Sequence, residues 1–230
     1  FLLLSDSRLE NKKFDFIFSH HSLEHVDDIE KSWSEINKLL SNQGFVLHIL
    51  PCGNKGSFEY NLCLLKKDGI KQQEGNRFFF EDRSHLRRLT TNQMNELASK
   101  YDLKPVFLYH SNHHYGAIDW ITSYSPKFIL MMFSPLKANN LVSALKLIWL
   151  SIVFSMIKLD RFRANDIEHR RKIMKKYQYC LLFILLFLFY PISKLVNIYL
   201  IHMSNREWKN DKNKETGSEM YVCYRRPQVL

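Results

Sequence analysis

Apolar positions along this chain change their spacing several times, and each change predicts an element. Phe14-Asp15-Phe16-Ile17-Phe18 is a short apolar run carrying one acid, the pattern of a buried strand in an α/β sheet. Ile29, Trp33, Ile36, Leu39 and Leu40 then recur at helical spacing and predict one apolar helix face, with Trp33 in the core. Asp27 is placed to cap that helix, and Glu30 follows three residues later as in a capping box. Ser41-Asn42-Gln43-Gly44 breaks the pattern, and Phe45 to Pro51 reads as the next strand. Strand, helix, turn and strand make a βαβ unit with a right-handed crossover.

Further along, Pro51 to Gly56 is a turn-rich loop at a strand end, and Lys66 to Asn76 reads as a polar loop or lid. Thr90-Thr91 supplies a threonine cap for a helix carrying Met94, Leu97, Ala98 and Tyr101. Glu219 to Arg226, after Thr216-Gly217-Ser218, is a β-rich run. Between these lie two long apolar segments. Leu141 to Ile157 carries one charge, Lys146, and Cys180 to Met203 carries Lys194 and a central Pro191. At ~1.5 Å per residue they reach roughly 25 and 36 Å, so the second is long enough for ~30 Å of hydrocarbon and the first only barely. The stretch between them, Lys158 to Tyr177, has eight Lys or Arg against three acids. Two full crossings would put those cations on the far side, against the positive-inside tendency. Helices dipping into one leaflet would keep them beside anionic headgroups, so monotopic attachment is favoured over a spanning hairpin or a soluble helical cap.

Composition adds a bias rather than a class. A formal net charge of +10 favours an anionic partner, and the cations sit beside apolar helices rather than among stacking aromatics. That pattern favours an anionic membrane surface and argues against nucleic acid. Four scattered cysteines, Cys52, Cys63, Cys180 and Cys223, lack metal spacing and fit a reducing, cytosolic setting. The chain opens on Phe1 and contains no Gly-x-Gly, which is read as an amino-terminally incomplete fragment.

Phe-Asp-Phe-Ile-Phe-Ser-His-His-Ser-Leu-Glu-His-Val-Asp-Asp (14–28), followed by a helix, Asn-Gln-Gly and a strand ending in Pro51, resembles the class I S-adenosylmethionine-dependent methyltransferases. The similar branch is the small-molecule one that includes ubiquinone-biosynthesis enzymes. His85-Leu86-Arg87-Arg88-Leu89-Thr90 also resembles that family's His-x-Arg-x-x-Thr segment. The resemblance implies an α/β, Rossmann-like seven-stranded methyltransferase sheet whose first strands are missing. Leu-Glu-His-Val would open the helix after the fourth strand, Lys104 to Tyr109 would be the sixth strand, and Glu219 to Arg226 an antiparallel seventh beside it. The domains would then be 1–110, the carboxyl-terminal half of the methyltransferase; 111–217, an apolar and basic helical insertion associated with a membrane; and 218–230, the final strand.

The same resemblance implies S-adenosylmethionine as cofactor, with Asp6, Ser19 and His20 beside it. The family's glycine-rich loop would lie upstream of Phe1. Methyl transfer needs mainly alignment, because the sulfonium is already electrophilic. A base helps where the acceptor is a hydroxyl, and His20 or His21 could act as that base. Glu24 and His25 could equally satisfy backbone donors in a first helical turn. His21, Glu24 and His25 share one helical face and could ligate a metal completed by His85, His110, His113 or His114, but no specific partner is indicated and no metal is assigned. The expected function is methylation of a small or lipid-like acceptor at the cytoplasmic face of an inner membrane. A non-catalytic membrane-binding module with a degenerate methyltransferase fold is the alternative.

Overall fold

The computed structural model describes residues 9–161 and 175–227. Asp6 and most of the basic stretch 158–177 lie outside the described residues. The chain divides into two compact units, one of residues 1–64, 68–113 and 210–230, the other of 65–67 and 114–209.

The first unit is a mixed α/β layer. Its strands are β1 (Phe14–His20), β2 (Leu40–Pro51), β5 (Lys104–Ser111) and β6 (Glu219–Arg225), and the sheet order is β1-β2-β6-β5. β1 and β2 are parallel, whereas β6 runs antiparallel between β2 and β5. A separate pair, β3 (Ile70–Lys71) and β4 (Arg77–Phe78), places one strand inside the loop expected at 66–76 and its partner just after it. Six strands are therefore present among the described residues, four of them in the main sheet, not seven in one.

Helix α1 (Ile29–Leu39) buries Trp33, Ile36 and Leu39, the face its spacing predicts. Its cap is Asp28, not Asp27: the Asp28 carboxylate accepts the Lys31 amide. Leu23–His25 does not open α1 but forms a 3-10 turn of its own. β2 starts at Leu40, directly after α1, so the expected Ser41–Gly44 break is absorbed as a register irregularity opposite Phe14 and Phe16. Gly44 permits this close approach, because a Cβ there would sit 2.9 Å from the Phe14 carbonyl oxygen. Helix α2 (Phe58–Cys63) follows the loop after β2. Helix α3 (Thr91–Ser99) carries the full capping box of Thr90 with Gln93.

β1 departs from expectation in burial. It is an edge strand of the described sheet, and Phe14, Phe16 and Phe18 are exposed rather than buried. β2, flanked on both sides, buries Val46, His48 and Leu50.

The second unit is helical: α4 (Tyr115–Ser123), α5 (Pro126–Met132), α6 (Leu141–Lys158) and α7 (Lys176–Asp211), whose last residues pass into the first unit. The amides of His114, Tyr115 and Gly116, orphaned at the start of α4, all donate to the Glu207 carboxylate. At the end of α6, Ser193 and Asn197 of α7 both donate to the Ile157 carbonyl, and Ser193 Oγ accepts the Asp160 amide. Arg161 pairs with Asp119 and donates to Asn197. α6 continues through a 3-10 turn, so Leu141–Arg161 is a helix long and apolar enough to cross a membrane by length and composition, with a mean hydropathy of 1.8.

Candidate functional site

The sheet topology gathers titratable groups at one end. His20 ends β1 opposite Ile49, while Pro51 at the end of β2 pairs with Glu219 at the start of β6. Ser111 closes β5 opposite the same Glu219. Beyond β1, His21 takes a left-handed backbone conformation, φ 47°, and its amide donates to the Ile49 carbonyl.

That turn sets the His21 ring between two carboxylates. Nε2 lies 3.1 Å from Glu219 Oε1, and Nδ1 lies 3.1 Å from the buried Glu24. Glu219 also accepts from the Ser111 hydroxyl at 2.7 Å and from the Tyr221 hydroxyl at 2.8 Å. The hydrogen bonds to Glu219 and Glu24 raise the His21 pKa to about 9. Burial pushes the Glu219 carboxyl upward, but its bonds to His21, Ser111 and Tyr221 outweigh that and leave it below its ordinary value.

His21 is consequently an imidazolium at neutral pH. A protonated ring at this position is suited to facing an anion. His20 is exposed at the strand tip and meets the His21 ring edge-on at 4.5 Å. Ser19 turns inward, 2.6 Å from His48 Nδ1. His48 is fully buried against Trp33, and burial lowers its pKa to about 3, so it stays neutral.

Among the described residues, two groups have ligand atoms within 4.8 Å of one another and could hold a metal ion: His20, His21 and Glu219, and Glu24, His25 and His85. His110 and His113 are drawn elsewhere, to Thr91 and to Thr216.

Beside this end of the sheet sits a buried ion network that the sequence did not announce. Arg88 donates to Glu59 at 2.5 Å, to Glu81 at 2.8 Å and to the carbonyls of Cys52 and Ser218. Its guanidinium also lies 3.9 Å from the Phe78 ring centroid. Burial would lower its pKa, but Glu59 and Glu81 hold it above the ordinary arginine value. One side chain thus ties the end of β2 to the approach to β6.

The β1–α1–β2 segment that carries this strand tip is also where the chain meets a known family. Residues 4–48 match the model of a methyltransferase domain. No curated protein sequence matches. Three solved structures are similar over most of the chain: a protein named as a candidate sarcosine dimethylglycine methyltransferase from Galdieria sulphuraria (14% identity, TM-score 0.37), the YcgJ protein of Bacillus subtilis (9%, 0.36), and coclaurine N-methyltransferase bound to N-methylheliamine and SAH (14%, 0.34). They cover 97%, 94% and 93% of this chain, which spans 58%, 66% and 49% of theirs. At these TM-scores the likeness carries no argument of its own.

At the strand tip His20 is exposed, the Ser22 hydroxyl donates to the His20 carbonyl, and Ser19 is engaged with His48. The sequence contains no Gly-x-Gly that would let backbone approach the cofactor closely.

Proposed function

We propose that this chain acts in S-adenosylmethionine-dependent methyl transfer, of the small-molecule branch, to a small or lipid-like acceptor at a membrane. The observation that carries the reading is the methyltransferase-domain match laid over β1–α1–β2, whose first strand ends in the histidine cluster. S-adenosylmethionine, when bound, supplies the electrophilic methyl group. His20 takes the acceptor's hydroxyl proton at the exposed strand tip. His21, held protonated between Glu24 and Glu219, stabilises the alkoxide that this leaves behind. The outward apolar faces of α6 and α7 support attachment to an anionic membrane surface on its cytoplasmic side.

The test is transfer of radiolabelled methyl from S-adenosylmethionine to an extract of small molecules and lipids by the full-length gene product. His20→Ala is expected to lower transfer about a hundredfold. Transfer unchanged in that variant removes the base role. No transfer at all, with vesicle binding intact, replaces the reading with a non-catalytic membrane-binding module.

A further inference from the structure

Within the sheet unit, a cavity of about 490 Å³ opens between the loop after β2, the β3–β4 hairpin, the start of α3 and the segment leading into β6. Small-molecule sites span roughly 300–1,000 Å³, so the size is that of a ligand pocket. We propose that it binds a neutral, polyhydroxylated ligand of hexose size, a sugar.

The lining carries the argument. Gln72, Asn76 and Asn92 border the cavity, and their side-chain amides have no hydrogen-bond partner among the described residues. Each amide presents both a donor and an acceptor, as each sugar hydroxyl does, so the two match without a proton change. Lys55 and Glu215 add one charge of each sign, leaving no net field to select an ion. Tyr60 supplies an aromatic surface for the C–H face of a ring, backed edge-on by Phe78 at 6.2 Å.

The walls are fixed beforehand, which limits the entropy lost on binding. Asn54, at the cavity floor, exchanges two hydrogen bonds with Thr91, and the Gly53 amide donates to the Leu89 carbonyl. On the hairpin side, Gly75 and Asn76 are both left-handed, and the Gly75 carbonyl accepts the Arg88 amide. A Cβ at Gly75 would meet the Leu86 carbonyl at 2.5 Å, so this wall follows the 86–88 segment closely.

The inference gains a purpose from the function proposed above, as the site for a glycosylated acceptor's head, but its test needs no cofactor and the two fail separately. Saturation-transfer NMR is run on the full-length protein in phosphatidylcholine nanodiscs, free of sugar detergents, with N-acetylglucosamine and methyl α-glucoside as probes. Binding of at least one is expected, weakened about tenfold in a Gln72→Ala/Asn92→Ala double variant. Both positions are exposed, and an unchanged circular dichroism spectrum checks that the variant is folded. Three results overturn the proposal: no transfer to either sugar, equal binding by the double variant, or displacement of the sugar by inorganic phosphate.

Discussion

In the sheet unit Trp33, Val46, Val222 and Tyr224 have no exposed surface, and Arg88 is buried among two carboxylates and two carbonyls. In the helical unit, Leu141 and Trp149 of α6 and Phe187 and Leu195 of α7 are 65–77% exposed. The residue types are similar, and what surrounds them is not. A helix that is apolar on every side needs apolar surroundings, and these two carry their polar contacts, Ser193, Asn197 and Arg161, where they meet each other. One unit finishes its core from its own residues. The other leaves apolar faces that the proposed membrane attachment would cover.

The contrast can be broken most sharply at Arg88. Arg88→Ala leaves Glu59 and Glu81 buried without their cation and is expected to cost roughly 3–5 kcal/mol, read by urea unfolding of the sheet unit. A loss below about 1 kcal/mol would mean that water reaches this network. His21 gives a smaller effect that depends on pH. Its folded pKa, about 9, lies above the ordinary 6.5, so its stabilisation is complete below pH ~6.5 and is lost as pH rises through about 9. With the side chain 40% exposed, solvent screening limits this to about 1 kcal/mol. Thermal melts across that range should slope downward in the native protein and flatten in His21→Gln. The smallest effect on stability belongs to the outward face of α6. Leu145→Ser with Trp149→Ser should change unfolding by no more than ~0.5 kcal/mol, yet abolish flotation with anionic vesicles. Flotation that survives would end the membrane reading.

Much of the architecture could be read beforehand. The 3.6-residue spacing of Ile29, Trp33 and Ile36 gave α1, a threonine cap before Met94 and Leu97 gave the start of α3, and the β-rich run from Glu219 gave β6, which pairs antiparallel with β5 as the family resemblance implied. Burial was harder to read. Phe14 to Phe18 has a buried strand's composition, but composition does not say whether a strand has one neighbour or two. Asp27 and Asp28 are equally good caps on paper, and only backbone geometry chooses Asp28. The candidate site was legible in residue types and not in partnerships. The cluster at 19–21 was visible, but Glu219 lies 198 positions from His21, and nothing local to either predicts the contact that raises the His21 pKa. Arg88 was hidden in the same way, because its partners come from four separate segments.

The central position of β6 also has a consequence in time. Ser111 and Glu219, neighbours across the sheet, are 108 positions apart in the chain. At synthesis rates of about 5–20 residues per second, β5 waits roughly 5–20 s on the ribosome for the strand that pairs with it. Throughout that interval β2 and β5 each present an unsatisfied edge, open to pairing with other chains. The helices of 114–209 leave the ribosome first. Order of birth therefore sets order of assembly: the helical unit meets its surroundings while the sheet is still unfinished, and the strand carrying Glu219 completes the histidine cluster last.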